Sequence, residues 1–382
     1  MEDMMDPAFR TGTFVGRVWR PDLAGPSLVV LRDGALCDIT SKATPTMRDL
    51  LELSDPVHHA RTAPGERLGA LEEILERKPD PAHAHLIAPS DLQAVKACGV
   101  TFARSMIERV IEERAAGDAS RAEAIRARVT AVIGDSLRNL KPGSPEAARV
   151  KAALIEEGVW SQYLEVGIGP DAEVFTKAQV LSAVGPGADV GLHPASRWNN
   201  PEPEIVLAVS SSGQVRGATL GNDVNLRDIE GRSALLLGKA KDNNASCAIG
   251  PFIRLFDESY AIDDVRRAEL SLLVEGEDGY RLTGRSSMAE ISRDPCDLVA
   301  QTIGSHHQYP DGLVLFMGTL FAPVEDRDDP GQGFTHKRGD VVTIANAELG
   351  SLSNTVKLST ECAPWSFGSA ALMRNLAGRG LL

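Results

Sequence analysis

Two carboxylates stand two residues apart in Asn199-Asn200-Pro201-Glu202-Pro203-Glu204, directly ahead of the apolar run Ile205 to Val209. On an extended chain such residues share a face. Pro203 biases Glu202 toward extended backbone, which supports that geometry locally. Side-by-side anions repel each other unless a cation lies between them. Oxygen-only donors suit a hard divalent ion, Mg²⁺ first, with Mn²⁺ or Ca²⁺ as substitutes. Alternating acids also decorate exposed strands, so the spacing alone leaves a solvated strand face open.

A third oxygen donor would come from the neighbouring strand. Ser210-Ser211-Ser212-Gly213 separates Ile205 to Val209 from Val215 to Val224, a hairpin pattern. Glu204 lies eight positions before Ser212 and Asp223 eleven after it, an offset that Gly217 and Gly221 can absorb as bulges or bends. Asp223 sits in Gly221-Asn222-Asp223-Val224-Asn225-Leu226-Arg227-Asp228, where a strand gives way to a helix.

These stretches form part of a larger pattern. It adds Glu173-Val174-Phe175-Thr176-Lys177, Lys241 through Gly250-Pro251, and Gly284-Arg285-Ser286-Ser287-Met288. Pro310-Asp311-Gly312 leading to Gly318-Thr319 completes it. In that order the chain resembles the fumarylacetoacetate hydrolase family over roughly Leu86 to Asn354. The resemblance implies that Glu202, Glu204 and Asp223 bind a divalent metal. It also implies an α+β, mostly β fold: a mixed β-roll with a helical lid, preceded by a small N-terminal α/β domain, and usually a homodimer.

Members of that family act on 2-oxo acids as C–C hydrolases, decarboxylases or dehydratases. Metal chelation by the acid polarises its C2 carbonyl and acidifies C3. Hydrolytic members carry a histidine on the lid, where this chain has Ser105 in Gly99-Val100-Thr101-Phe102-Ala103-Arg104-Ser105. No histidine occurs between His85 and His193, although Glu108 or Glu112 could replace one as the base. The segments around Glu173 and Lys241 are most similar to the 2-keto-3-deoxy-D-pentonate (xylonate/arabinonate) dehydratase branch, hydro-lyases that yield 2,5-dioxopentanoate in oxidative D-xylose breakdown. The resemblance makes Lys241 and Glu173 the catalytic pair. A lysine lowered in pKa by metal and burial takes the C3 proton and Glu173 protonates the C4 hydroxyl, or the roles reverse. Thr319, Lys177 and Ser287 become substrate contacts. Two alternatives stay open: a hydrolase of acylpyruvates or 2,4-diketo-3-deoxy sugar acids, and a non-catalytic ligand-binding protein.

Other features read as structural. His306-His307 would point to opposite faces of a strand and fit a loop better. Cys247 suits a packed core position. Gly331-Gln332-Gly333 lacks the strand-to-helix context of a phosphate loop.

The elements that must position these groups follow from periodicity. Thr13 to Arg20 and Ser27 to Leu36 read as strands, and Ala43 to Leu53 and Glu66 to Leu75 as helices. A charged stretch with Pro79 and Pro81 places a boundary near residue 85, giving a small N-terminal domain (1–85) and a catalytic domain (86–382). Helical spacing returns at Met106, Ile107, Val110 and Ile111, then at Ile125, Val129, Val132 and Ile133, for a lid over about 104–158. Its charges Glu108, Glu112, Glu113 and Arg114 read as solvated surface. Strands are expected again at Ala268 to Val274, Val314 to Phe321 and Val341 to Ile344.

Composition excludes whole classes of partner. Acidic residues outnumber basic ones, 53 to 40, for a net charge of −13, so phosphate neutralisation does not drive binding and nucleic acid is not the expected partner. No apolar run reaches membrane-spanning length, and the start carries Glu2, Asp3 and Asp6 rather than a basic leader. Five unclustered cysteines suit reduced thiols in the cytoplasm. The expected partner is a small 2-oxo sugar acid.

Overall fold

The N-terminal alternation becomes β1 (Phe14–Arg20), β2 (Gly25–Arg32), β3 (Ala35–Asp38) and β4 (Glu66–Ala70), followed by β5 (His85–Ile87) and β6 (Ala94–Gly99). After the helical block come β7 (Glu173–Ala178), β8 (Asp189–Leu192), β9 (Pro203–Val209), β10 (Val215–Asp223) and β11 (Cys247–Leu255). The remainder holds β12 (Glu269–Glu275), β13 (Arg281–Ser287), β14 (Leu313–Phe316), β15 (Val341–Asn346) and β16 (Gly350–Leu358). This computed structural model describes residues 7–133, 137, 140–321, 323–328, 330, 331 and 333–382. The acidic start Met1 to Asp6, the side chains of Val132 and Ile133, and Gln332 lie outside the described residues.

Among the described residues the strands build two sheets. The larger, eleven-stranded, runs β4-β3-β2-β1-β11-β10-β9-β14-β6-β7 with β5 on β1, and the five-stranded one runs β13-β12-β15-β16-β8. Pairing of β1 with β11 joins the N-terminal strands to the sheet that carries Glu204 and Asp223. Within that N-terminal part, the helix expected over Glu66 to Leu75 is two elements. Glu66–Ala70 pairs with β3, and only Leu71–Leu75 is helical. Edge pairing there outweighs the helical spacing, while Leu71 and Ile74 still reach the core.

Burial explains which strands show which pattern. β9 is buried at every position, which is why it reads as an unbroken apolar run. Ile205, Leu207 and Val209 face the inter-sheet core with Leu270, Leu272, Val274 and Leu352, and Val206 faces a second cluster with Ile249 and Phe316. β12 alternates buried and exposed residues, as a strand with one wet face must.

The helical block consists of Ala103–Ala115, Ala119–Ile133 and Pro145–Glu156. Ser144 caps the third helix by accepting from the Ala147 amide, with Pro145 in its first turn. Met106, Val110, Ile111, Ile125 and Val129 make a hydrophobic cluster of their own with Tyr163 and Leu164. No helix among the described residues is long and apolar enough to cross a membrane.

Candidate active site

The hairpin of β9 and β10 sets the geometry of the acids. Val215 pairs with Val209, but Gly217 pairs with Ala208, so Arg216 is an extra residue on β10. From there the register holds, with Gly221 opposite Glu204. Asp223 donates its amide to the Glu202 carbonyl at 3.0 Å. The offset of three thus has two sources: the single bulge, and Asp223 facing Glu202 rather than Glu204. Gly217 lies beside the bulge, where a Cβ would come within 2.2 Å of the Arg254 carbonyl oxygen. Gly221 is regularly paired, contrary to the expected bend; it is needed because a side chain would strike Phe316 at 2.3 Å.

Glu202, Glu204 and Asp223 are buried, and one carboxylate oxygen from each lies within 4.8 Å of the others. Lys241, ending the helix Leu237–Lys241, reaches Glu202 Oε2 at 2.6 Å and Asp223 Oδ2 at 3.1 Å. Lys177 Nζ approaches Asp223 Oδ1 at 2.8 Å from beneath. The Gly318 amide donates to Glu204 Oε2 at 2.6 Å, at the turn after β14 where φ is +87°. Glu173 begins β7 opposite Gly99, whose missing side chain makes room for its carboxylate. Glu173, Phe175, Thr319 and Lys241 all line one cleft with the three acids.

Electrostatics sort these groups. Burial, then the neighbouring Asp223 and Glu202 carboxylates, holds Glu204 well above the ordinary carboxylate range. Burial also raises Asp223, but Lys177 and Lys241 overcome it and leave the group below its usual value. Glu173 is pushed up to about 7 by burial and by the Glu230 carboxylate. Burial pulls Lys241 down, yet Asp223, Glu202 and Glu230 together hold it above the ordinary lysine value. The lowering expected from the sequence rests on metal and burial together; among the protein's own groups, the carboxylates outweigh burial.

The donors fit a divalent cation. Five carboxylates (Glu173, Glu202, Glu204, Asp223, Glu230) meet three cations (Lys177, Lys241, Arg109). With all of them ionised, two negative charges remain uncompensated, and a dication cancels them. The ligand atoms are all oxygens, which is the preference of Mg²⁺.

The remaining sequence-derived contacts sit elsewhere. Lys177 is fully buried under Asp223, donating to the Val224 carbonyl at 3.2 Å and to the Lys241 carbonyl. It braces the site from below and is not among the residues lining the cleft. Ser287 donates to Glu269 at the edge of the smaller sheet and is not among the residues lining the cleft. Its neighbour Ser286 faces inward instead, accepting from the Leu320 amide at 3.0 Å beside Thr319. Glu108 and Glu112, read as solvated, are buried. Glu108 pairs with Arg126 and Arg227, and Glu112 with Arg109 and Arg227, so neither is a free base. Ser105 lines the cleft and donates to the Phe102 carbonyl of its own turn at 2.9 Å. Cys247, opposite Asp223, is buried and its thiol is pushed up to about 12 by burial, consistent with a core position.

Sequence reasoning missed Arg109 and Glu230. Arg109 extends from the first lid helix to Glu202 Oε1 at 2.5 Å, and Glu230 ends the short helix Arg227–Glu230. Burial, with Glu202 and Glu112 nearby, leaves Glu230 above its usual value despite Arg109. The Arg109, Glu112 spacing was visible, but it reads equally as a surface ion pair.

The fumarylacetoacetate (FAA) hydrolase C-terminal family matches residues 168–357, the span that contains all three acids. The chain belongs to the fumarylacetoacetate hydrolase family. Curated relatives of this family member include the probable 2-keto-3-deoxyxylonate dehydratase of Haloferax volcanii, 31% identical over 201 residues. That alignment covers 53% of this chain and 65% of the relative. The 2-dehydro-3-deoxy-D-arabinonate dehydratase of Saccharolobus solfataricus is 29% identical over 185 residues, 48% of this chain and 58% of the relative. The chain thus spans less than two thirds of the length of either relative. Among solved structures, 2-keto-3-deoxy-D-arabinonate dehydratase complexed with magnesium and 2,5-dioxopentanoate superposes with a TM-score of 0.63 at 20% identity. The superposition covers 91% of this family member and 99% of that chain, and it establishes the shared fold.

Proposed function

We propose that the protein is a Mg²⁺-dependent hydro-lyase of a 2-keto-3-deoxy sugar acid. The reaction converts 2-keto-3-deoxy-D-xylonate or D-arabinonate to 2,5-dioxopentanoate and water, as a step of oxidative pentose breakdown. One observation carries the reading: a buried acid triad is flanked by a carboxyl near neutrality, Glu173, and an ammonium, Lys241, while the lid carboxylates Glu108 and Glu112 are both held by arginines. The names of the relatives and of the magnesium-bound structural neighbour support it.

Glu202, Glu204 and Asp223 would hold Mg²⁺, with Mn²⁺ or Ca²⁺ as substitutes. When bound, the ion supplies Lewis-acid polarisation of a 2-oxo carbonyl. Glu173, set to about 7, is ionised in a large fraction of molecules at neutral pH and takes the C3 proton. Lys241, held as an ammonium between Glu202 and Asp223, gives its proton to the C4 hydroxyl as the C4–O bond breaks. The unsaturated acid then rearranges to the aldehyde. The Thr319 hydroxyl, at the cleft wall, holds a substrate oxygen.

Incubation of the purified protein with Mg²⁺ and each 2-keto-3-deoxy-pentonate tests the reading, with 2,5-dioxopentanoate as the expected product. Acylpyruvates and 2,4-diketo-3-deoxy sugar acids serve as the contrast. Release of pyruvate from an acylpyruvate above the metal-free background would replace this reading with a C–C hydrolase. Binding without turnover of any of them would replace it with a non-catalytic protein.

A further inference from the structure

Arg109 belongs to the lid, yet its guanidinium ends among the proposed metal ligands. Nη2 donates to Glu202 Oε1 at 2.5 Å, while Nη1 meets Glu112 Oε2 at 2.5 Å and Glu230 Oε2 at 3.1 Å. The other Glu202 oxygen is taken by Lys241. Both oxygens of Glu202 are therefore committed to cations of the protein. A divalent ion can enter only by displacing one of them or sharing its oxygen.

The two partners are not equally replaceable. Lys241 also grips Asp223, so it is tied to two members of the triad at once. Arg109 keeps Glu112 and Glu230 even when it releases Glu202. Arg109 is the partner that yields. The Arg109 side chain is only 12% exposed at the cleft wall, and an unsatisfied charged donor there is costly. An anion entering the cleft satisfies it, and the guanidinium fork matches a carboxylate.

We propose that Arg109 is a positioning and anion-recognition residue that hands Glu202 to the metal and then takes the carboxylate of a 2-oxo acid. The lid is thereby made sensitive to whether metal and ligand are both present. This inference rests on the reading of Glu202 as a metal ligand, not on dehydration itself.

Calorimetry tests it on the full chain: MgCl₂ into metal-stripped protein, then pyruvate into Mg²⁺-loaded protein. Arg109→Met is expected to bind Mg²⁺ about tenfold more tightly and pyruvate about tenfold more weakly than the wild type, the scale of one charge-assisted hydrogen bond. Arg109→Lys keeps the charge but loses the fork, so Mg²⁺ binding stays near wild type while pyruvate weakens; it also serves should the Met variant not fold. Opposite shifts separate this role from a structural one, since a distorted site weakens both. Equal or weaker Mg²⁺ binding in a folded Arg109→Met protein overturns the proposal, as does unchanged pyruvate affinity in the variants that fold. A wild type that binds no Mg²⁺ removes this inference and the metal reading together. A wild type that shows the crossover yet dehydrates no sugar acid keeps the inference and removes only the dehydratase.

Discussion

The amide of Asp223 donates to the carbonyl of Glu202 at 3.0 Å, so the end of β10 is stitched to the residue just before β9. That one backbone contact delivers the third acid to the first two. It also makes the acid cluster a property of strand register, which a one-residue slip would destroy.

Glu204→Gln separates folding from metal binding. Because Glu204 is held above its ordinary range when only protein charges surround it, the neutral amide resembles the protonated side chain. The variant should unfold in urea within about 1 kcal/mol of the wild type, since no new charge is buried. Its Mg²⁺ affinity should fall by about 100-fold, the cost of a charged ligand oxygen. Saturating Mg²⁺ should raise the wild-type melting temperature and shift the variant's by much less. Full turnover by this variant would count against the triad.

The pH profile reads Glu173. As the base, it must lose its proton, so the rate should rise as pH passes through about 7. Glu173→Gln should lower kcat by about 100-fold or more and abolish that limb. Stability runs the other way. The folded group binds its proton more tightly than its unfolded value of 4.5. Its contribution is full below 4.5 and is lost as pH rises through about 7. Urea titrations of metal-stripped protein at pH 5 and 8 should show that loss, and the Gln variant should show a smaller one, because Glu204 and Glu230 are also raised.

Gly99→Ala perturbs Glu173 without changing any charge. A Cβ at residue 99 would lie 2.0 Å from Glu173 Oε2, so the carboxylate must move. Turnover should drop about tenfold or more, as misplaced catalytic groups do, while Mg²⁺ affinity measured by calorimetry stays unchanged. Weakened Mg²⁺ binding would show that Glu173 and the triad are not separable.

Lys177→Met tests the brace. Removing a fully buried cation leaves Asp223 with Lys241 alone, at an expected cost of about 3–5 kcal/mol in urea unfolding. A variant as stable as the wild type but with raised KM would return Lys177 to substrate contact.

Residue order already determined much of this protein. The apolar run of β9 follows from burial on both faces, and Pro203 with the Glu202, Glu204 spacing set two carboxylates on one face. These are local constraints of period and backbone, readable within a dozen residues. Tertiary structure decided the rest. Whether Lys177 meets ligand or lies sealed beneath Asp223 depends on which strand covers it. Likewise Glu108 and Glu112 pass for solvated helix surface until Arg227, more than a hundred residues away, closes on them. Arg109 reaches Glu202 only because the lid packs over the sheet. Charge compensation and proton affinity are set by distances across the fold, and no spacing along the chain encodes those.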